Sequence, residues 1–93
     1  MIKSFGDRQT ERFWTLMEPG RLPTSIQQRA LNKLAMLDQS VDLNDLRIPP
    51  SNRLEALKGD RKGKFSIRIN QQWRICFRWD NGDAHEVVIE DYH

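Results

Sequence analysis

Four side chains able to accept, donate or steer a proton stand together at the end of the sequence, Glu90-Asp91-Tyr92-His93. His93 and His85 are the residues whose ordinary pKa lies near neutrality. Asp91, two residues back on the same face of a strand, favours the imidazolium form of His93, and so does the terminal carboxylate. A cationic His beside arginines and a polyanion can act as a general acid. By itself a terminal Asp-Tyr-His says little, since chain ends are usually frayed and free to vary. Its weight depends on what the rest of the chain offers a substrate.

One reaction needs few further parts, the metal-free cleavage of RNA. The 2′-hydroxyl of the substrate attacks the adjacent phosphorus. The protein need only position the backbone, stabilise the extra negative charge with Arg and Lys, and move protons. Other chemistries fit poorly. Metal-assisted hydrolysis wants more His or carboxylate ligands at set spacings. There is no Gly-rich phosphate loop and no nucleophile elbow. The single Cys76 rules out an intrachain disulfide and a multi-cysteine metal site, and it reads as a small packed strand residue. Neither a metal nor a cofactor is expected.

The charge distribution points to a polyanion. Residues 1–46 carry six basic and six acidic side chains. From Arg47 to Arg78 there are nine basic residues, Arg47, Arg53, Lys58, Arg61, Lys62, Lys64, Arg68, Arg74 and Arg78, opposed only by Glu55 and Asp60. The last stretch turns acidic, with Asp80, Asp83, Glu86, Glu90 and Asp91. Such a local excess suits a nucleic-acid partner. It equally suits salt bridges between the basic segment and the acidic end, and charge alone does not decide between them.

The elements that must position these groups follow from length and periodicity. A chain of 93 residues makes one domain, 1–93, and a hydrophobic fraction of 38% with three Trp and four Phe fills one core. No apolar run approaches a membrane span, and Met1 to Phe5 lacks the apolar stretch of a signal peptide, so a reducing, cytoplasmic setting with no membrane contact is expected. Met1 to Phe5 reads as a short strand with Ile2 and Phe5 inward. Asp7 caps a helix over roughly residues 8–17, with Phe13, Leu16 and Met17 toward one side, and Glu18-Pro19-Gly20 ends it. Thr24 looks like the cap of a second helix, with Gln27 three residues on as a capping box requires. Ile26, Ala30, Leu34 and Leu37 fall at helical spacing, widened by Leu31. That helix reads as core packing, without chemistry.

Residues 41–52 are turn-rich, and Pro49-Pro50-Ser51-Asn52 is a loop. The period then becomes two. Leu54, Ala56 and Leu57 form a strand ending at Lys58, and Gly59 to Gly63 supplies a hairpin connection. Phe65, Ile67 and Ile69 alternate with Ser66, Arg68 and Asn70. After a turn at Asn70-Gln71-Gln72, Trp73, Ile75, Phe77 and Trp79 alternate with Arg74, Cys76 and Arg78. Asn81-Gly82 is a two-residue hairpin turn with positive φ at both positions. Val87 and Ile89 anchor the last strand. The result is an α+β fold: an N-terminal strand and two helices on one face of an antiparallel sheet of about four or five strands. Its opposite, open face carries Arg68, Arg74 and Arg78. Three arginines there repel one another and gain little from packing. Their clustering favours a nucleic-acid contact surface.

Leu57-Lys58-Gly59-Asp60-Arg61-Lys62-Gly63 resembles the "LKGDR.G" hairpin of the HigB branch of the RelE/ParE-type bacterial toxins. Ser66-Ile67, Trp73-Arg74-Ile75 and Asn81-Gly82-Asp83 follow at matching spacing, and Glu90-Asp91-Tyr92-His93 is similar to the closing "EDYH". The match covers roughly the last forty residues, and the first half agrees in layout. It implies a RelE-like fold and a ribosome-dependent mRNA endonuclease that inhibits translation. It also implies a helix-turn-helix antitoxin of the HigA type, with operator DNA touched only through the antitoxin complex. Carried over residue by residue, Arg74 would hold the scissile phosphate and Lys58 would neutralise it or assist proton transfer. Asp91 and His93 would be the proton-transfer groups, and Tyr92 would stack on a base. Arg61, Lys62, Lys64, Arg68 and Arg78 would contact RNA. Two positions depart from the pattern. Glu55 stands where some active relatives carry a His, so it could act as a base or weaken RNA binding. Asn70 stands near a position that is often basic.

Two other functions remain open. One is a non-catalytic growth inhibitor of the same fold that binds the ribosome or, as in the ParE branch, DNA gyrase. The terminal Asp-Tyr-His argues against the gyrase branch. The other is a plain RNA-binding module or a toxin relic kept for regulation. A small helix-turn-helix protein encoded in the next reading frame would favour the toxin.

Overall fold

A computed structural model describes residues 1–61 and 63–91 of the chain. Helix α1 spans Arg8–Leu16 and α2 spans Thr24–Gln39. Three short 3₁₀ turns follow at Leu43–Arg47, Pro50–Asn52 and Gly59–Arg61. Strands β1 (Glu55–Ala56), β2 (Lys64–Arg68), β3 (Trp73–Asp80) and β4 (Asp83–Asp91) make an antiparallel sheet in that order. The α+β architecture expected from periodicity is the one observed.

Asp7 caps α1 as expected, its carboxylate accepting the Thr10 N–H at 2.8 Å. Thr10 is itself buried, and its hydroxyl accepts the Ile89 N–H at 3.0 Å, which ties α1 to β4. Leu16 and Met17 do not join the core. Met17 leaves the helix in the left-handed region at φ 58°, and both side chains stay exposed. Nor is Thr24 a cap. Pro23 holds that position with no side-chain bond, Thr24 is already helical, and the Gln27 amide donates instead to the Leu22 carbonyl at 2.9 Å. The α2 stripe is as read: Ile26, Ala30, Leu34 and Leu37 are buried in one core with Ile67, Ile75, Phe77, Ala84 and Val87 of the sheet.

Residues 1–6 form no regular strand. They run beside β4 through two parallel bridges, Ile2 with Ala84 and Phe5 with Val87. β1 is shorter than its sequence suggested. Leu54 and Leu57 lie outside it, both its residues are exposed, and Lys58 falls beyond its end. The Asn81-Gly82 turn has the expected positive φ angles, 53° and 81°.

β4 contains a bulge that its alternation did not announce. Cys76 pairs with Val88, yet Arg78, two residues on, pairs with His85, three residues back. The extra residue is accommodated with Glu86 at φ 54°. The phase shift lets Val87 and Ala84 both enter the core, and Glu86 reaches Arg78 on the outer face.

Candidate active site on the outer sheet face

The register places one set of side chains on the face away from the helices. Across β2 and β3 the pairs are Lys64 with Arg78, Ser66 with Cys76, and Arg68 with Arg74, and Glu90 lies opposite Arg74 on β4. Parity thus places the three arginines where expected. The face is not open, however. Arg74 is only 3% exposed, with Arg53 and Glu55 of the segment before β2 set against it. Arg53 sits at φ 48°, and its carbonyl accepts from Arg74 Nη2 at 2.9 Å. Arg74 Nε donates to Ser66 Oγ at 2.9 Å, and Nη1 lies 3.4 Å from Glu55 Oε1. Two neutral oxygens fix the plane of the guanidinium. Its carboxylate partner is half exposed, as an exchangeable ligand would be. The proximity of Glu55 to this group is the departure noted in the sequence, now with a distance.

Arg61 reaches over the sheet to Glu90 Oε1 at 2.9 Å, and Cys76 Sγ donates to Glu90 Oε2 at 3.3 Å. Burial, followed by the charge of Glu90, pushes the Cys76 thiol up to about 11. A groove of about 270 Å³ lies beside this cluster, bounded by Arg61, Lys64, Cys76, Val88 and Glu90. At the other end of the face Glu86 receives Arg78 Nε at 2.6 Å and lies 3.6 Å from Lys64. So the acidic last strand balances Arg61, Lys64 and Arg78, one of the two arrangements that charge allowed.

The expected site residues therefore fall into groups. Arg74 and Glu55 come together, and Arg61 lies with Glu90 and Cys76. Lys64 and Arg78 form the Glu86 cluster. Arg68 turns into a separate cleft beside α2, with Arg29, Lys33 and Arg53. Lys58 is exposed past β1. Asp91 pairs in register with Trp73, on the other face from Arg74, and its Oδ2 accepts from Gln72 Nε2 at 3.0 Å. Lys62, Tyr92 and His93 lie outside the described residues. Among those described, no group of His, Cys, Asp and Glu could hold a metal ion. Sequence reasoning missed Ser66 and the Arg53 carbonyl, which no residue type signals. It also missed Arg29 and Lys33, whose spacing of four on α2 was a usable sign. Asn70 is structural: its Oδ1 accepts the N–H groups of Gln72 and Trp73, at 2.8 and 2.7 Å.

Residues 3–93 match the model of the family described as the RelE-like toxin of the type II toxin–antitoxin system HigB. The chain belongs to the HigB-like toxin family. It is 40% identical over 93 residues to Toxin HigB-1 of Vibrio cholerae, covering 99% of this chain and 98% of that protein. It is 33% identical to Endoribonuclease HigB of Proteus vulgaris over the whole of both chains. The fold resembles YafQ of E. coli, with a TM-score of 0.64 at 11% identity over 98% of this chain and 93% of that one. It also resembles a chain of the YoeB–YefM complex from Staphylococcus aureus, with a TM-score of 0.62 at 17% identity over 100% and 98%. As a HigB-like toxin, the chain is the growth-inhibiting member of a toxin–antitoxin pair.

Proposed function

We propose that this toxin is a metal-independent endoribonuclease that cuts mRNA on the translating ribosome, in the cytoplasm, with Arg74 on the scissile phosphate. One observation carries this reading. Arg74 is buried and held by Ser66 and the Arg53 carbonyl, while its carboxylate partner, Glu55, is half exposed. A phosphate entering beside Arg74 can take the place of Glu55 and receive a charge already oriented in a dry setting. The similarity to Endoribonuclease HigB supports the same reaction class.

In that reaction the substrate 2′-oxygen bonds to phosphorus and the 5′-oxygen of the next nucleotide leaves. The products are a 2′,3′-cyclic phosphate and a 5′-hydroxyl. One group must take the 2′ proton and another must supply a proton to the leaving oxygen. We assign these transfers to Asp91, which β4 places at its end beside Gln72 rather than on the Arg74 face, and to His93; Tyr92 stacks on an unstacked base, and Lys58 adds positive charge. Arg61, Lys62, Lys64, Arg68 and Arg78 steer the strand. A HigA-like helix-turn-helix antitoxin restrains the toxin, and operator DNA is reached only through that complex.

The test is expression without an antitoxin, followed by primer extension on cellular mRNA. Wild type should slow growth and leave discrete cut sites. Asp91→Asn should remove most cutting while the protein stays folded. Growth arrest without cut sites, equally strong after deletion of His93, would replace this reading with a non-catalytic inhibitor of the ribosome or gyrase.

A further inference from the structure

A second concavity, larger than the groove beside Arg61 and Glu90, lies elsewhere on the described chain. It is a cleft of about 950 Å³ between α2, the segment at Ser51–Arg53 and the β2–β3 turn. Four cations line it, Arg29, Lys33, Arg53 and Arg68, and no Asp or Glu does among the described residues. The contrast with the sheet face is sharp in charge terms, because Arg61, Lys64, Arg74 and Arg78 each have a carboxylate within 4 Å. None of the four cleft cations forms an ion pair with a described residue.

This concentration opposes folding. Arg29 and Lys33 are a like-charged pair four residues apart on one helix. Arg68 stands directly across from Arg74 on the neighbouring strand. Burial holds Lys33 below the ordinary lysine value, and Arg29 adds to the effect. The chain nevertheless builds the cleft firmly. Lys33 donates to the Oδ1 of Asn52, whose amide is buried and also donates to the Leu46 carbonyl at 3.1 Å. Arg53, which offers its carbonyl to Arg74, also lines the cleft. A polyanion that neutralises four converging cations recovers the cost of holding them together.

We propose that this cleft binds the phosphodiester backbone of RNA at a position beyond the Arg74 phosphate. The inference rests on the nuclease reading for its choice of ligand, and Arg68, next to Arg74, is the step from one site to the other. The backbone could belong to the cut strand or to an RNA duplex of the ribosome.

The probes are fluorescein-labelled 2′-O-methyl RNAs, whose blocked 2′-oxygen prevents cleavage. One is a single strand of about twelve nucleotides, long enough to track a groove. The others are a trinucleotide and an A-form hairpin. The variant Arg29→Gln/Lys33→Gln removes two cleft charges without touching Arg53 or Arg74 and keeps a side-chain donor for Asn52, and its thermal midpoint serves as a check of folding. Relative to wild type, it should bind the longer strand at least about tenfold more weakly. Its log-log salt slope should fall by about 0.7 for each single-strand phosphate that the protein no longer neutralises. Trinucleotide affinity should not change. Loss confined to the hairpin would assign the cleft to a duplex backbone. Loss on the single strand assigns it to the cut strand. Equal affinity of wild type and variant for both longer RNAs would overturn the proposal, as would a wild type that binds none of the probes at low salt. If wild type cuts mRNA and the variant binds RNA unchanged, only the cleft inference fails. If wild type never cuts but the variant loses RNA, only the nuclease reading fails.

Discussion

Arg74 and Arg78 occupy the same strand and the same sheet face, yet the side chain of one is 3% exposed and that of the other 41%. The difference comes from what crosses above them. Over Arg74 the chain returns through Arg53 and Glu55 and supplies a carbonyl, with Ser66 supplying a hydroxyl from below. Arg78 stays partly exposed, and its partners are the exposed carboxylates of Glu86 and Asp80. A charge of the same type is thus worth more at the first site, because attraction to a phosphate strengthens as the surroundings dry. Residue type announces a cation, but the segment folded over it decides whether it is machinery or ordinary surface.

The widest separation of the two ends should come from truncating each arginine. Arg74→Ala strands Ser66 and the Arg53 carbonyl, so it should cost about 3 kcal/mol, at the low end for a broken buried charge pair because Glu55 is half exposed. It should also remove the charge stabilisation of cleavage, commonly worth about 3 kcal/mol more. Urea denaturation gives the first quantity, and cutting at matched folded protein gives the second. Arg74→Lys keeps the charge but loses the planar fork, so it should recover part of the stability and little of the cleavage. If Arg78→Ala were as destabilising as Arg74→Ala, the contrast between covered and open ends would collapse.

How much of this contrast could be read in advance follows from individual residues. Alternation put Arg68, Arg74 and Arg78 on one face correctly, because register follows from Ile67, Ile75 and Phe77 entering the core. The α2 stripe and the Asn81-Gly82 turn were equally legible. The cover over Arg74 was not. It depends on left-handed backbone at Arg53, a residue type that does not announce it. The bulge at Glu86 was hidden for the same reason, and with it the placement of a carboxylate between Lys64 and Arg78. Arg29 and Lys33 were in view, but the helix was read by its apolar stripe alone.

Cys76 lies between the two arginines and reports how far the dry region extends. Its pKa is raised to about 11 from an ordinary 9.0, first by burial and then by the Glu90 charge. At pH 8 about a hundredfold less thiolate is present than for a free thiol, since each pKa unit is tenfold. Alkylation by iodoacetamide should be slow by that factor in the native protein and ordinary in urea. The folded value lies above the unfolded one. The stability linked to this thiol is therefore intact below pH 9 and lost as the pH rises toward 11. Free-thiol reactivity in the native state would mean that the dry region stops short of Cys76.

A smaller effect is expected from Glu55→Gln. The substitution keeps shape but removes the charge that competes with phosphate for Arg74. RNA affinity and cutting should rise several-fold, in line with a pairwise charge effect at a half-exposed position. Glu55→His tests the same point while adding an imidazole. Weaker cutting by both variants would make Glu55 a working base rather than a competitor.

The smallest effect should come from the open end. Glu86 is held below the ordinary carboxylate range, first by its hydrogen bond from Arg78 and then by the charge of Lys64. A depressed folded pKa contributes stability above the unfolded value and loses it as the pH falls through the folded one. Glu86→Gln should therefore leave the urea midpoint at pH 7 almost unchanged, since both partners are solvated and the pair is screened. Its stability curve should merge with that of wild type only after the pH has fallen through the depressed folded pKa, below the ordinary carboxylate range, where wild-type Glu86 is also neutralised. The sheet backbone sets a second expectation. Glu86 occupies the left-handed position of the bulge whatever its charge, so Glu86→Gln keeps the register of β4, whereas Glu86→Val opposes φ 54° and should destabilise at every pH. A Glu86→Gln variant as damaged as Glu86→Val would mean that the ion pair, and not the bulge, holds this end of the sheet.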